Sequence, residues 1–259
     1  MSGELYITRL CAWAPGIENS GEWDEWAQGK REIASGAKGP EIAFTDSLFR
    51  RRLSQISRMT VQVVHDLMPV AENTKMFFVS FRGELSRQYQ INKMLIEEKS
   101  LMPAAFSLSV FNAPAALASI ALGLKGGYTA LYPGNNSFTA ALSAAQAAFL
   151  SGDQEELIFI YADEQPPPEY MGLFKIREED QRRETNQTDE QVQCFPLAFA
   201  FLLTREPQTG GECREGSPIE SQSLSVPFPS LLAEDDDPSG RPLDFLRRLL
   251  LYGKIHVSH

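Results

Sequence analysis

The sequence predicts a layered α/β fold built on a mainly parallel, five-stranded sheet. Three observations predict it. Short apolar strand patterns alternate with helical ones along the chain, the order expected of parallel strands joined by crossover helices. Two Ala-rich segments, residues 113–124 and 138–150, are apolar nearly all round the helix, the pattern of helices buried between layers. The stretch GGYTALYPGNNSFTAALSAAQAAFLSGD, residues 126–153, reads as a strand, a tight turn and one of those helices in direct succession.

Residues 5–14 (LYITRLCAWA) form the first strand, closed by Pro15-Gly16. Residues 17–40 are polar, with a helical turn at 22–28; Trp13, Trp23 and Trp26 read as aromatics that pack this excursion down. Over 46–68, Leu53, Ile56, Met59, Thr60, Val63, Val64 and Leu67 recur at three-to-four spacing and give one helical stripe. Arg50-Arg51-Arg52 at its start reads as a solvated basic turn, because cations gain nothing near a helix N-terminus. His65, on the same helix, reads as a packing or surface residue.

Residues 76–81 (MFFVSF) form the second strand, and Arg82-Gly83-Glu84 turns into a helix over 85–99. After 106–110 comes the helix 113–124, with Pro114 in its first turn. Residues 128–132 are the third strand. Pro133-Gly134-Asn135-Asn136 is the turn, Asn136 or Ser137 can cap the next helix, and Gly152 stops it. Residues 156–162 (ELIFIYA) are the fourth strand, 163–169 a rigid Pro-rich loop, 176–190 a charged loop, and 195–204 (FPLAFAFLLT) the fifth strand.

Composition divides the chain at Arg205. Residues 1–205 read as the folded domain. Residues 206–259 read as an irregular tail rich in Pro, Gly, Ser and Glu, with an acidic run at 234–237 and a short amphipathic helix near 243–252. In that helix Leu243, Phe245, Leu246, Leu249 and Leu250 form the face that would anchor the tail to a partner.

A hydrophobic fraction of 43% and a charged fraction of 22% are those of a soluble globular protein. The net charge of -10 argues against general nucleic-acid or anionic-membrane binding. Cys11, Cys194 and Cys213 have neither metal nor disulfide spacing, so no metal or cofactor is expected, and a reduced, cytoplasmic setting is. No basic start with a long apolar run marks a signal peptide, and no apolar stretch approaches the about 20 residues of a membrane span.

The pair FSLSVFNAPAALASIALGLKGG and YTALYPGNNSFTAALSAAQAAFLSGDQEELIFIYADE, with the element order above, resembles the N-terminal half of the β-ketoacyl synthases. The resemblance covers about residues 1–205 and implies one thiolase-like half. In that family a Cys nucleophile sits at the turn after the third strand. Counting forward from Gly126-Gly127 and back from Gly152-Asp153 puts that position at Asn135 both ways. An amide cannot form a thioester, so covalent condensation is excluded there. The family's two catalytic histidines belong to the other half of the fold.

A ketosynthase homologue without its Cys is similar to the chain-length factors, and this sequence most resembles those of bacterial aryl polyene biosynthesis. That resemblance implies an active Cys-His-His ketosynthase as heterodimer partner and, through it, an acyl carrier protein. It implies that the strand before the turn, Tyr128, Thr129, Ala130, Leu131 and Tyr132, pairs with its counterpart in the partner. It makes Tyr89, Phe106, Phe111, Asn112, Tyr128 and Tyr132 the candidates for walling the acyl tunnel. Two other readings stand beside it. One is a stand-alone acyl-binding or scaffolding homodimer. The other is an enzyme using Ser137, which the residues favour less because a Ser at a helix start is ordinarily its cap.

Overall fold

The computed structural model describes residues 5–100, 103–133, 137–171, 195–207, 226–228 and 241–257, the last with side chains to Leu251. The strands are β1 (Tyr6–Trp13), β2 (Lys75–Val79), β3 (Tyr128–Leu131), β4 (Glu156–Asp163), β5 (Leu197–Thr204) and β6 (Val226–Pro227). The helices are α1 (Ser20–Ala27), α2 (Ser47–Arg50), α3 (Gln55–Asp66), α4 (Leu85–Glu97), α5 (Pro103–Ser107), α6 (Ala113–Leu122), α7 (Phe138–Leu150) and α8 (Pro242–Val257). All five expected strands form, and β6 adds a short sixth to a single sheet ordered β3-β2-β4-β5-β1-β6.

The sheet is mixed, which corrects the expectation of a mainly parallel one. β2 lies parallel to both β3 and β4, while β4–β5, β5–β1 and β1–β6 are antiparallel. Parallel neighbours require a crossover, usually helical. The chain supplies one between β2 and β3 (α4 to α6) and one between β3 and β4 (α7). The sequence places no helical pattern between β4 and β5, and those strands run antiparallel.

Alternation along the strands builds two cores. Phe77, Val79, Phe159, Tyr161, Phe199 and Phe201 face α1, α7 and α8; Met76, Phe78, Ile158, Ile160, Ala198 and Ala200 face α3 and α6. β5 sorts its side chains by size. Its Phe residues fill the first face and its alanines make room on the second, where α3 crosses. Trp23 and Trp26 meet edge to face at 5.6 Å inside the first core, which is the packing role expected of them.

Three local details depart from the sequence expectations. The helix read over 46–68 is two helices, because two cap residues each start one. Asp46 accepts from the Leu48 and Phe49 N–H groups, and Ser54 accepts from Ser57 N–H. Helices α6 and α7 bury only one face, since a single helical layer covers each side of the sheet. Ile120 is left 70% exposed and Leu150 45% exposed. Finally, Phe245, Leu246 and Leu249 of α8 are buried in the chain's own core, with Leu243 and Leu250 packed beside them. Phe245 lies 5.4 Å from Phe138 and 5.6 Å from Phe201, ring centre to centre. That face is therefore taken up at home and cannot anchor a partner.

Candidate functional site: an open sheet edge with an aromatic wall

β3 is the outer strand of the sheet. It pairs with β2 in parallel register, Met76 opposite Tyr128 and Val79 opposite Leu131, and among the described residues no strand pairs with its other side. An edge strand presents a row of free backbone donors and acceptors, and Lys or Pro normally blunts it. Tyr128, Thr129, Ala130 and Leu131 include neither. Tyr128 is 37% and Tyr132 50% exposed. Open backbone and apolar side chains thus share one margin of the molecule.

Behind the edge is a small aromatic wall. Pro114 and the left-handed Gly123 bound α6, and Asn112 precedes it without capping it. The Asn112 amide is thereby free to donate to the Tyr128 hydroxyl at 2.9 Å. Phe111 meets Tyr132 edge to face at 6.1 Å and Phe78 at 6.0 Å. Four sequence-predicted residues, Phe111, Asn112, Tyr128 and Tyr132, are thus brought together. Two others take part in none of these contacts. Tyr89 packs against Tyr170 at 5.2 Å, its hydroxyl held above the usual range by its hydrogen bond to Glu169. Phe106, on α5, is 56% exposed.

The turn after β2 is held by a buried carboxylate that the sequence reading missed. Asp163, the last residue of β4, accepts from Ser80 Oγ at 2.6 Å and from the Phe81 and Arg82 N–H groups at 3.0 Å each. Its other oxygen accepts from Tyr161 OH at 2.7 Å; burial and then that carboxylate push the Tyr161 hydroxyl far above its ordinary range. Ser80 Oγ in turn accepts from Gly83 N–H at 2.7 Å. Beside this turn, buried Glu84 accepts from Ser54 Oγ at 2.7 Å, Ser57 Oγ at 2.6 Å and Arg87 Nε at 3.2 Å. Glu164 accepts from Ser86 N–H at 2.6 Å. Burial raises Glu164 to about 7, against the lowering effect of the Ser86 N–H and with a smaller push from Glu84. The available signal was positional: polar residues directly after the apolar runs MFFV and ELIFIYA, where strand ends in α/β sheets meet ligands or one another.

Asn135 lies outside the described residues, as do Gly134 and Asn136. Ser137 does what a helix-start Ser does: its Oγ accepts from Ala140 N–H at 3.2 Å. His65 stacks on Phe44 at 3.5 Å and its Nδ1 lies 3.2 Å from Asp66 Oδ1. Among the described residues no group of three or more His, Cys, Asp or Glu could hold a metal ion, and no helix is long and apolar enough to cross a membrane.

A family model described as the β-ketoacyl synthase N-terminal domain matches residues 23–231. The chain belongs to that β-ketoacyl synthase family. No curated protein matches it by sequence. Among solved structures, the ketosynthase (ApeO) in complex with its chain length factor (ApeC) from Xenorhabdus doucetiae contains a similar chain. The TM-score is 0.65 at 23% identity, over 95% of this chain and 91% of that one. The ishigamide ketosynthase/chain length factor gives a TM-score of 0.59 at 14% identity, over 82% of this chain and 64% of that one. A type II polyketide acyl carrier protein in complex with its ketosynthase bound to the hexaketide gives 0.51 at 14% identity, over 79% and 64%. The chain spans less than two thirds of the latter two. The β-ketoacyl synthase family member thus has the thiolase-like ketosynthase fold expected of it.

Proposed function

We propose that this protein is a non-catalytic chain-length-factor subunit in type II fatty-acid or polyketide-like biosynthesis of the aryl polyene kind. An active ketosynthase partner, carrying the Cys and both His, performs decarboxylative condensation on acyl chains held by an acyl carrier protein. This subunit completes the heterodimer and bounds the acyl tunnel. Asn135 stands at the nucleophile position and, being an amide, forms no thioester. The net charge of -10 disfavours carrier docking on this subunit, because carrier proteins are acidic too.

One observation carries the reading: β3 is an unblocked edge strand that carries exposed Tyr128, with exposed Tyr132 directly after it. Pairing it with an equivalent strand would satisfy the open backbone and bury those side chains in one step. The ketosynthase–chain length factor complexes among the similar structures support the choice of partner. Phe111, Asn112, Tyr128 and Tyr132, lying directly behind that edge, are the tunnel-wall residues on this reading. Tyr89 and Phe106, which take part in none of those contacts, are secondary candidates.

The test is size-exclusion chromatography with light scattering on the chain alone and co-expressed with a Cys-containing ketosynthase. A one-to-one complex supports the proposal. A stable homodimer or monomer that ignores the ketosynthase would replace it with the stand-alone acyl-binding or scaffolding reading.

A further inference from the structure

Gly83 sits in the turn between β2 and α4 with φ +59, a left-handed conformation that favours glycine. A Cβ built there would lie 2.7 Å from Phe111 Cδ2 and 3.2 Å from Cε2. The edge of the Phe111 ring therefore rests on a bare Cα. The turn cannot easily retreat. Ser80 Oγ holds Gly83 N–H at 2.7 Å, and buried Asp163 holds Ser80 Oγ, Phe81 N–H and Arg82 N–H. Phe78 lies 6.0 Å from the ring inside the core, and Tyr132 lies 6.1 Å away on the half-exposed margin. With the core packed and the turn tethered, a ring displaced from Gly83 moves towards Tyr132.

We propose that Gly83 is a positioning residue for product length. Its missing side chain lets Phe111 withdraw from the Tyr132 margin, and that withdrawal sets how far the distal end of an acyl chain can reach. This rests on the reading of the chain as the tunnel-bounding subunit. Gly83 touches no acyl chain itself; it acts through Phe111, and Asp163 acts through the turn that carries Gly83.

The experiment uses the one-to-one complex with the ketosynthase partner, fed octanoyl-loaded and malonyl-loaded acyl carrier protein, with carrier-bound products sized by mass spectrometry. Wild type, G83A, F111L and the double variant G83A/F111L are compared. G83A is expected to shorten the main product by at least one two-carbon unit, F111L to lengthen it, and the double variant to recover the F111L profile. Unchanged product length with G83A in an intact complex overturns the inference, as does a double variant that stays short. If G83A alone fails to fold, a folded double variant with the F111L profile supports the proposal. A double variant that also fails traces the loss to the left-handed φ; G83N, whose residue tolerates that φ and places the same Cβ against Phe111, then takes the place of G83A, and unchanged product length with it overturns the inference. Active complexes in which F111L leaves length unchanged refute the tunnel position of Phe111 and leave the heterodimer standing. Failure of the wild-type chain to form the complex removes the underlying reading and this one with it.

Discussion

Replacing Glu164 with Gln should flatten the pH dependence of stability between pH 5 and 8. Glu164 is 1% exposed, and burial raises it from 4.5 to about 7. A carboxyl raised in the folded state is bound to its proton more tightly there than in the unfolded chain. Its contribution is fully present below the unfolded value of 4.5 and is lost as pH rises through about 7. At 1.36 kcal/mol per unit, the displacement from 4.5 to about 7 corresponds to ~3 kcal/mol lost by wild type across that window. The amide oxygen of Gln can still accept from Ser86 N–H, now 2.6 Å from the carboxylate, and it cannot ionise. Urea unfolding at pH 5, 6, 7 and 8, on both proteins in the same assembly state, reads the difference. Titrations elsewhere cancel in the comparison. Glu164→Gln should gain on wild type steadily with pH, with most of the gain between pH 5 and 7. Parallel profiles would refute the argument and mean that water reaches the carboxylate.

The other predictions follow from single contacts. Thr129→Lys places a cation on the exposed edge of β3; the chain should fold as before and bind its partner at least tenfold more weakly, about 1.4 kcal/mol, by light scattering or calorimetry. Unchanged affinity would remove β3 from the interface. Gly126→Ala drives a Cβ into the carbonyl oxygens of Asn73 and Thr74, which are backbone and cannot swing aside. The cost should be ~2 kcal/mol, read as a fall in Tm of about 4–8 °C. Phe245→Ala empties a site walled by Phe138, Phe199 and Phe201. It should cost about 3–5 kcal/mol in urea unfolding of the chain itself; a variant that keeps its stability and loses only partner binding would restore α8 to the interface.

The strands were legible because side-chain alternation is local. FPLAFAFLLT states its own two faces, and the structure keeps Phe199 and Phe201 on one and Ala198 and Ala200 on the other. The direction of β5 was not legible. Direction depends on what connects two strands, and no periodic signal lies between β4 and β5. The destination of α8 was hidden for a related reason. Leu243, Phe245, Leu246, Leu249 and Leu250 announce a face that must be buried, and a moment says nothing about what buries it. At the site, Tyr128 and Tyr132 could be found from their place beside a turn, and Phe111 and Asn112 from theirs before a helix. That Asn112 would hold Tyr128 at 2.9 Å is a tertiary fact. So is the crowding of Gly83 by Phe111, since glycine in RGE reads only as a turn.

The parallel part of the sheet explains why these features share one end of the molecule. β3, β2 and β4 run the same way, so their C-terminal turns emerge together. Asp163 at the end of β4 fastens the turn after β2, and Ser80 N–H reaches Leu131 C=O at the end of β3. All three strand ends are therefore tied before residue 134. On this argument Ser80→Ala should lower the Tm by about 4 °C or more by removing the hydroxyl that ties the frame together. An unchanged Tm would mean that the strand ends hold together without that hydroxyl.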